Sequence, residues 1–324
     1  MRSPTTLAAL AGALVLALGG CGLFDEDETT SPTTTTPAIT TPPATTTTGP
    51  RPAVVDVGDS PRRALRLSFT TGATTSAALT FDLDVSQESQ GTTQSLDSPV
   101  VTEAVRFTVD RVDGDEADIS FAFTEVGLDR AGTDLTDQEY FELTADLQDL
   151  VGVGGTGRVT EQGAFTAFSY ETPADLDPKV ADTLRQFEDQ LPTIVVPLPT
   201  EPLGIGGSWR TTTTTTLAGV TLDQTTTYEI TDLTDQTMAY QATSQQSASE
   251  QDIDAPGLPS GTTVRLISSD VSGTSSGALE LDSLVATTTS KLSGTQEIDL
   301  SEGSGPPQRL TQRLEVVLSV KTSG

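Results

Sequence analysis

The stretch FTVDRVDGDEADISF, residues 107–121, decides the fold class. It reads as a strand, an acidic turn and a returning strand. Ala117, Ile119 and Phe121 alternate with polar neighbours, and the alternation continues to Phe123. A period of two sends one side chain to a core and the next to water, the pattern of antiparallel sheet. Asp113-Gly114 between the two runs is a hairpin signal.

The same pattern recurs along the chain. Leu65, Leu67 and Phe69 alternate with polar residues, as do Leu79, Phe81, Leu83 and Val85, and Leu314, Val316, Leu318 and Val320. The threonine run 211–216 suits a strand because β-branched side chains fit the pleat. The opening stretch also has a partner, YEITDLTDQTMAYQA at 228–242, at a constant offset of 121. Phe107 matches Tyr228, Val109 matches Ile230, Val112 matches Leu233, Ala117 matches Met238 and Ile119 matches Tyr240. These signals predict a mainly β (α+β) chain. Its curved antiparallel sheet or sheets, or half-barrel, would be built in two similar halves, 53–135 and 200–324.

Two segments have helical spacing instead. Near 136–150, Thr136 and Glu139 form a capping box, and Tyr140, Leu143, Leu147 and Leu150 recur at three and four residues. Near 178–191, Asp177 is an N-cap, Pro178 takes the first helical position, and Val180, Leu184, Phe187 and Leu191 make one stripe before Pro192. Both are expected as amphipathic helices lying on the sheet.

The N-terminus carries an address. Arg2 precedes an uncharged apolar run, Leu7 to Leu18, that is shorter than the roughly 20 residues needed to span a bilayer. The run closes on Leu18-Gly19-Gly20-Cys21, which resembles a lipobox. Residues 1–20 are expected to be a signal peptide cut between Gly20 and Cys21, with Cys21 lipidated. Two acyl chains suffice for a lasting anchor at the extracytoplasmic face of the cell membrane. Residues 21–52 form an acidic and Thr/Pro-rich tether with too little apolar surface to offset its ordering entropy. Residues 53–324 then make the folded extracytoplasmic domain, which no disulfide can staple because Cys21 is the sole cysteine.

Composition removes many chemistries. There is no histidine, so a Ser-His-Asp triad, His-ligated metal and imidazole acid–base work are excluded. With the single cysteine at the anchor, thiol catalysis and thiolate metal sites go too. Acidic side chains number 46 against 17 basic, a net charge of −29, which disfavours nucleic acid and anionic lipid headgroups. Asp110, Asp113, Asp115 and Asp118 crowd one turn but lack the EF-hand spacing, and read as solvated acids. Gly152 to Gly157 has no P-loop pattern and reads as a loop joining helix to strand. One tryptophan and four tyrosines offer few platforms for a glycosidase.

After the second helical segment comes PLPTEPLGIGGSW, residues 197–209. Pro202, Gly204, Gly206 and Trp209 make a Pro-x-Gly-x-Gly-x-x-Trp element. Over roughly residues 60–245 the chain resembles a family of secreted bacterial lipoproteins that carry a β-rich domain of unknown function. There, such an element follows a helix and precedes paired strands. The resemblance implies a β-rich domain and supplies no activity. Trp209 itself reads as a core anchor. The expectation is a membrane-anchored envelope lipoprotein with no enzymatic activity or cofactor, acting as a binding or structural module for an envelope protein partner. The alternative is a carrier of lipid or another apolar ligand, which requires apolar space between sheet and helices.

Overall fold

A computed structural model describes residues 51–171, 195–217, 220–253, 262–302 and 306–323. The signal peptide, Gly20, Cys21, most of the tether and the helix expected near 178–191 lie outside the described residues. Among the described residues fourteen strands form one antiparallel sheet: β1 (Ala53–Asp56), β2 (Thr74–Ser89), β3 (Thr92–Asp97), β4 (Val100–Asp113), β5 (Glu116–Asp129), β6 (Gly154–Thr160), β7 (Phe165–Glu171), β8 (Ser208–Leu217), β9 (Val220–Leu233), β10 (Thr237–Ala248), β11 (Gln251–Ile253), β12 (Thr262–Glu280), β13 (Thr287–Glu302) and β14 (Gln308–Ser323). One helix is described, α1 (Asp137–Gln148).

The strand order is β1-β8-β9-β10-β12-β13-β14-β2-β4-β5-β6-β7, with β3 continuing β4 along β2, and β11 continuing β10 along β12. This path divides into two blocks of six. Each holds a run of consecutive strands, β2 to β7 or β8 to β13, led by a strand from the far end of the chain. N-terminal β1 leads the second block and C-terminal β14 leads the first. The expected halves 53–135 and 200–324 are therefore corrected: β1 and β14 are exchanged between blocks, and β6 and β7 extend the first block to Glu171.

The repeat is exact in register. In β4–β5, Phe107 faces Phe121, Val109 faces Ile119 and Val112 faces Ala117, with Asp110 left over as a bulge. In β9–β10, Tyr228 faces Ala242, Ile230 faces Tyr240 and Leu233 faces Met238, with Thr231 left over at the matching position. Backbone turns agree as well. Glu161 N–H donates to Asp115 O at 2.8 Å, and Leu281 N–H donates to Gln236 O at 2.7 Å.

The alternation at Leu65, Leu67 and Phe69 does not make a strand. Leu65 and Leu67 are buried, but the segment runs outside the ladder. Its amides are spent on the two blocks instead, with Leu67 N–H donating to Glu161 O at 2.7 Å and Ser68 N–H to Leu281 O at 2.6 Å. Those acceptors belong to the β6–β7 and β12–β13 turns. Six strand steps separate β12 from β6, about 29 Å in a flat sheet. Adjacent residues reach both turns, so the sheet curls at this end and closes on a shared core. That core takes Val105, Phe107, Phe121, Trp209, Ile230, Met238 and Leu279 from both blocks.

The α1 helix begins as expected. Glu139 N–H donates to Thr136 Oγ1 at 3.3 Å, and Thr136 N–H donates to Glu139 Oε2 at 2.8 Å. Leu143 and Leu147, with Leu150 just beyond the helix, are buried against the core that contains Val126 and Leu128. Gly152 turns the chain with φ +91°, and Gly154 to Gly157 then lie in β6, so most of the glycine run is strand rather than loop.

Candidate functional site

The Pro-x-Gly-x-Gly-x-x-Trp element forms a junction between the blocks. Arg63 and Leu203 exchange backbone hydrogen bonds of 2.9 Å, and Asp59 N–H donates to Ile205 O at 2.8 Å. A Cβ on Gly204 would sit 1.8 Å from Asp59 O, so only glycine admits this approach. Gly206 has φ +77° in open space, a backbone requirement rather than a steric one. Pro202 stays exposed at the rim. Trp209 is fully buried, donates from Nε1 to Pro197 O at 2.8 Å, and stacks on Tyr228 at 5.1 Å. Burial pushes the Tyr228 and Tyr240 phenols up from their ordinary pKa. Gly204, Gly206 and Trp209 therefore serve closure of the core, and Pro202 does not.

Two of the four acids of the turn have partners. Asp118 accepts from Arg158 Nε at 2.8 Å and Arg111 Nε at 2.9 Å, and those guanidinium hydrogen bonds hold its carboxyl below the usual range. Asp110 accepts from Ser120 Oγ at 3.1 Å. Among the described residues no acidic cluster is arranged to hold a metal.

Glu103 was missed from sequence. It lies in register between Leu79 of β2 and Val126 of β5, in phase with buried Val101, Val105 and Phe107. Desolvation there pushes its carboxyl up to about 7. The signal was legible as a charge at an apolar beat of the β4 alternation.

A buried polar layer crosses the inner face. Gln87, Gln312, Gln296 and Ser269 face one another on successive strands β2, β14, β13 and β12. Leu83, Val85, Val271, Leu314 and Val316 pack on one side of it, and Leu222, Leu266, Ile298 and Leu310 on the other. Gln296 and Gln246 are 2% and 7% exposed, and each keeps an Oε1 with no hydrogen-bond donor.

Two concavities open on the outward face. The larger, about 870 Å³, spans β8 to β14. Arg210, Thr227, Thr243, Thr274 and Lys291 follow one another across five strands in one row. Thr225, Gln245, Ser272, Ser293 and Glu315 form the next row. The smaller, about 620 Å³, is lined by Arg106, Thr108, Ser120, Thr124 and Thr156 on β4, β5 and β6. Both lie on the face opposite the α1 contact, where Leu143 and Leu147 are buried against the core. The sequence marks were faint: Arg210 heading a threonine run, and Lys291 alone in a polar strand.

Comparison with known proteins adds a likeness over part of the chain and no activity. Residues 184–284 match a family of unknown function (DUF6263). The match takes in the glycine–tryptophan junction and all of β8 to β12, starting and ending later than the span expected from the motif. No curated protein matches the chain. Among solved structures, the COG4313 outer membrane channel from Pseudomonas putida F1 aligns with 79% of this chain and 98% of its own, at 11% identity and a TM-score of 0.14. A superposition that loose carries no argument.

Proposed function

We propose that this chain is a cell-envelope lipoprotein, held at the extracytoplasmic face of the membrane by lipid on Cys21, whose β domain is a non-enzymatic binding module. The observation that carries the binding reading is the pair of outward grooves on rigid strands. Hydroxyls line both, with Arg106 in the smaller and Arg210, Lys291, Gln245 and Glu315 in the larger, groups that hold a ligand by hydrogen bonds and charge. Binding sites built on regular strands need little reordering when they engage. The anchor rests on Leu18-Gly19-Gly20-Cys21 and on the tether behind it, which sets the domain off the membrane surface. The filled contact beneath α1 gives no support to carriage of an apolar ligand.

Membrane fractionation tests the anchor. The full chain should sediment with membranes, and Cys21→Ser should appear in the soluble extracytoplasmic fraction or accumulate unprocessed. Unchanged retention and migration of Cys21→Ser would remove lipidation at this site.

A further inference from the structure

The polar layer of the inner face is a row one residue wide. Ser269 of β12, Gln296 of β13, Gln312 of β14 and Gln87 of β2 stand opposite one another in turn. Gln87 then faces Gln94 of β3. The first four are 2% to 9% exposed, whereas Gln94 is open to solvent. Four strand steps separate Ser269 from Gln94, about 19 Å. At the inner end the row stops against Ala248 of β10.

Its surroundings are apolar. Val271, Leu314 and Val85 lie in the next inner row on one side, and Leu266, Ile298 and Leu310 on the other. An amide brings two N–H donors and one acceptor oxygen, and each is costly to bury unpaired. Among the described residues a single hydrogen bond joins the row, from Gln296 Nε2 to Ser269 Oγ at 3.3 Å. Gln296 Oε1 is sealed from solvent without a donor. The side chains of Gln87 and Gln312 make no hydrogen bond among the described residues.

Buried polar groups are paired in the great majority of cases, so an occupant must supply both donors and acceptors. A cation would answer the oxygens and leave the N–H groups, and an anion the reverse. Water answers both, carries no charge into a row that has none, and fits a packed interior.

We propose that the row Ser269–Gln296–Gln312–Gln87 holds a file of ordered water molecules that meets solvent at Gln94. Each water bridges amides of neighbouring strands and takes about three hydrogen bonds. The file parts the two apolar clusters and ends at Ala248, so it is a blind inlet. Gln246 stands one row away, opposite Val271 and Gln224, and lies outside it. The inlet is on the inner face, independent of the outward concavities and of the binding reading.

Oxygen-17 relaxation dispersion of water, on the full lipidated chain in detergent micelles, tests this by registering long-held internal waters apart from surface hydration. The parent chain should show a dispersion step, and Gln296→Leu with Gln312→Leu should lose most of it. Gln241→Leu, at an exposed position of β10, should keep the step whole. Urea midpoints separate a hydrated row from a dry one by sign. With water in place, Gln312→Leu alone strands its neighbours and lowers the midpoint, while a dry row would gain from losing an unpaired amide. Circular dichroism should show each variant folded. Should the double variant fail to fold, the sign for Gln312→Leu decides. No step in the parent chain, an unchanged step in the folded double variant, or a raised midpoint for Gln312→Leu overturns the proposal.

Discussion

Replacing Glu103 by glutamine should change how stability depends on pH, in a window set by the structure. The carboxyl belongs to the apolar phase of β4, with Leu79 and Val126 beside it across the strands. Desolvation lifts its pKa from 4.5 to about 7 in the folded chain. The unfolded chain gives up this proton near 4.5, while the folded chain keeps it to about 7. Across that interval the folded state binds more protons, so stability falls as pH rises and levels off above 7. At roughly 1.4 kcal/mol per pKa unit, the ionised carboxylate costs the fold about 3 kcal/mol by pH 8. Glu103→Gln removes the titration. Its thermal midpoint should equal that of the parent chain near pH 4.5 and exceed it by on the order of 5–10 °C at pH 8. Asp118, Asp299 and Glu139 shift the other way, each through hydrogen bonds to the charged carboxylate. Their contributions are present above the ordinary carboxylate range and are lost only as pH falls through their lowered values, outside the Glu103 window. Differential scanning calorimetry at half-unit steps from pH 4 to 8 reads the gap between the two chains. Parallel curves would refute desolvation as the cause.

Trp209→Ala should destabilise the domain by about 3–5 kcal/mol, read as a lower urea midpoint, because it empties the largest fully buried side chain and strips Pro197 O of its donor. Gly204→Ala should cost at least about 1–3 kcal/mol by the same measurement, since the new methyl overlaps Asp59 O and backbone must move. Gln246→Leu should leave the urea midpoint unchanged or raise it, because a buried carbonyl without a donor carries a penalty of about 1–3 kcal/mol. A marked fall would show that the amide has a partner.

The strands were legible because alternation is local. Phe107 to Phe121 states its own pairing, and the offset to 228–242 states a second copy. Matching register, down to the bulges at Asp110 and Thr231, shows that the two stretches share geometry as well as composition. The segment around Leu65 misled because period two reports only an extended chain with one buried side. It does not report where the amides go, and here they reach turns that lie far apart along the sheet order. Gln90-Gly91, with φ +50° and +79°, turns the chain between β2 and β3 without the asparagine that usually marks such a turn. The junction was legible in part, since glycine spacing and a lone tryptophan announce a close approach but not its partner, Asp59. The grooves were hidden because each needs side chains from at least three strands brought side by side.

The exchange of β1 and β14 explains why two similar blocks behave as one domain. A repeat built end to end would leave a single seam, and each block could open by itself. Here the first strand of the chain pairs with β8, and the last pairs with β2 along fourteen residues from Leu310 to Ser323. Detaching the second block therefore breaks its own contacts and also pulls β14 from the first. The segment from Asp59 to Ser68 adds a tie, hydrogen-bonded in turn to Ile205, Leu203, Glu161 and Leu281. Neither block can shed its neighbour without exposing the shared core around Trp209 and Phe107. Fixing the blocks this way also fixes the relative placement of the two outward concavities.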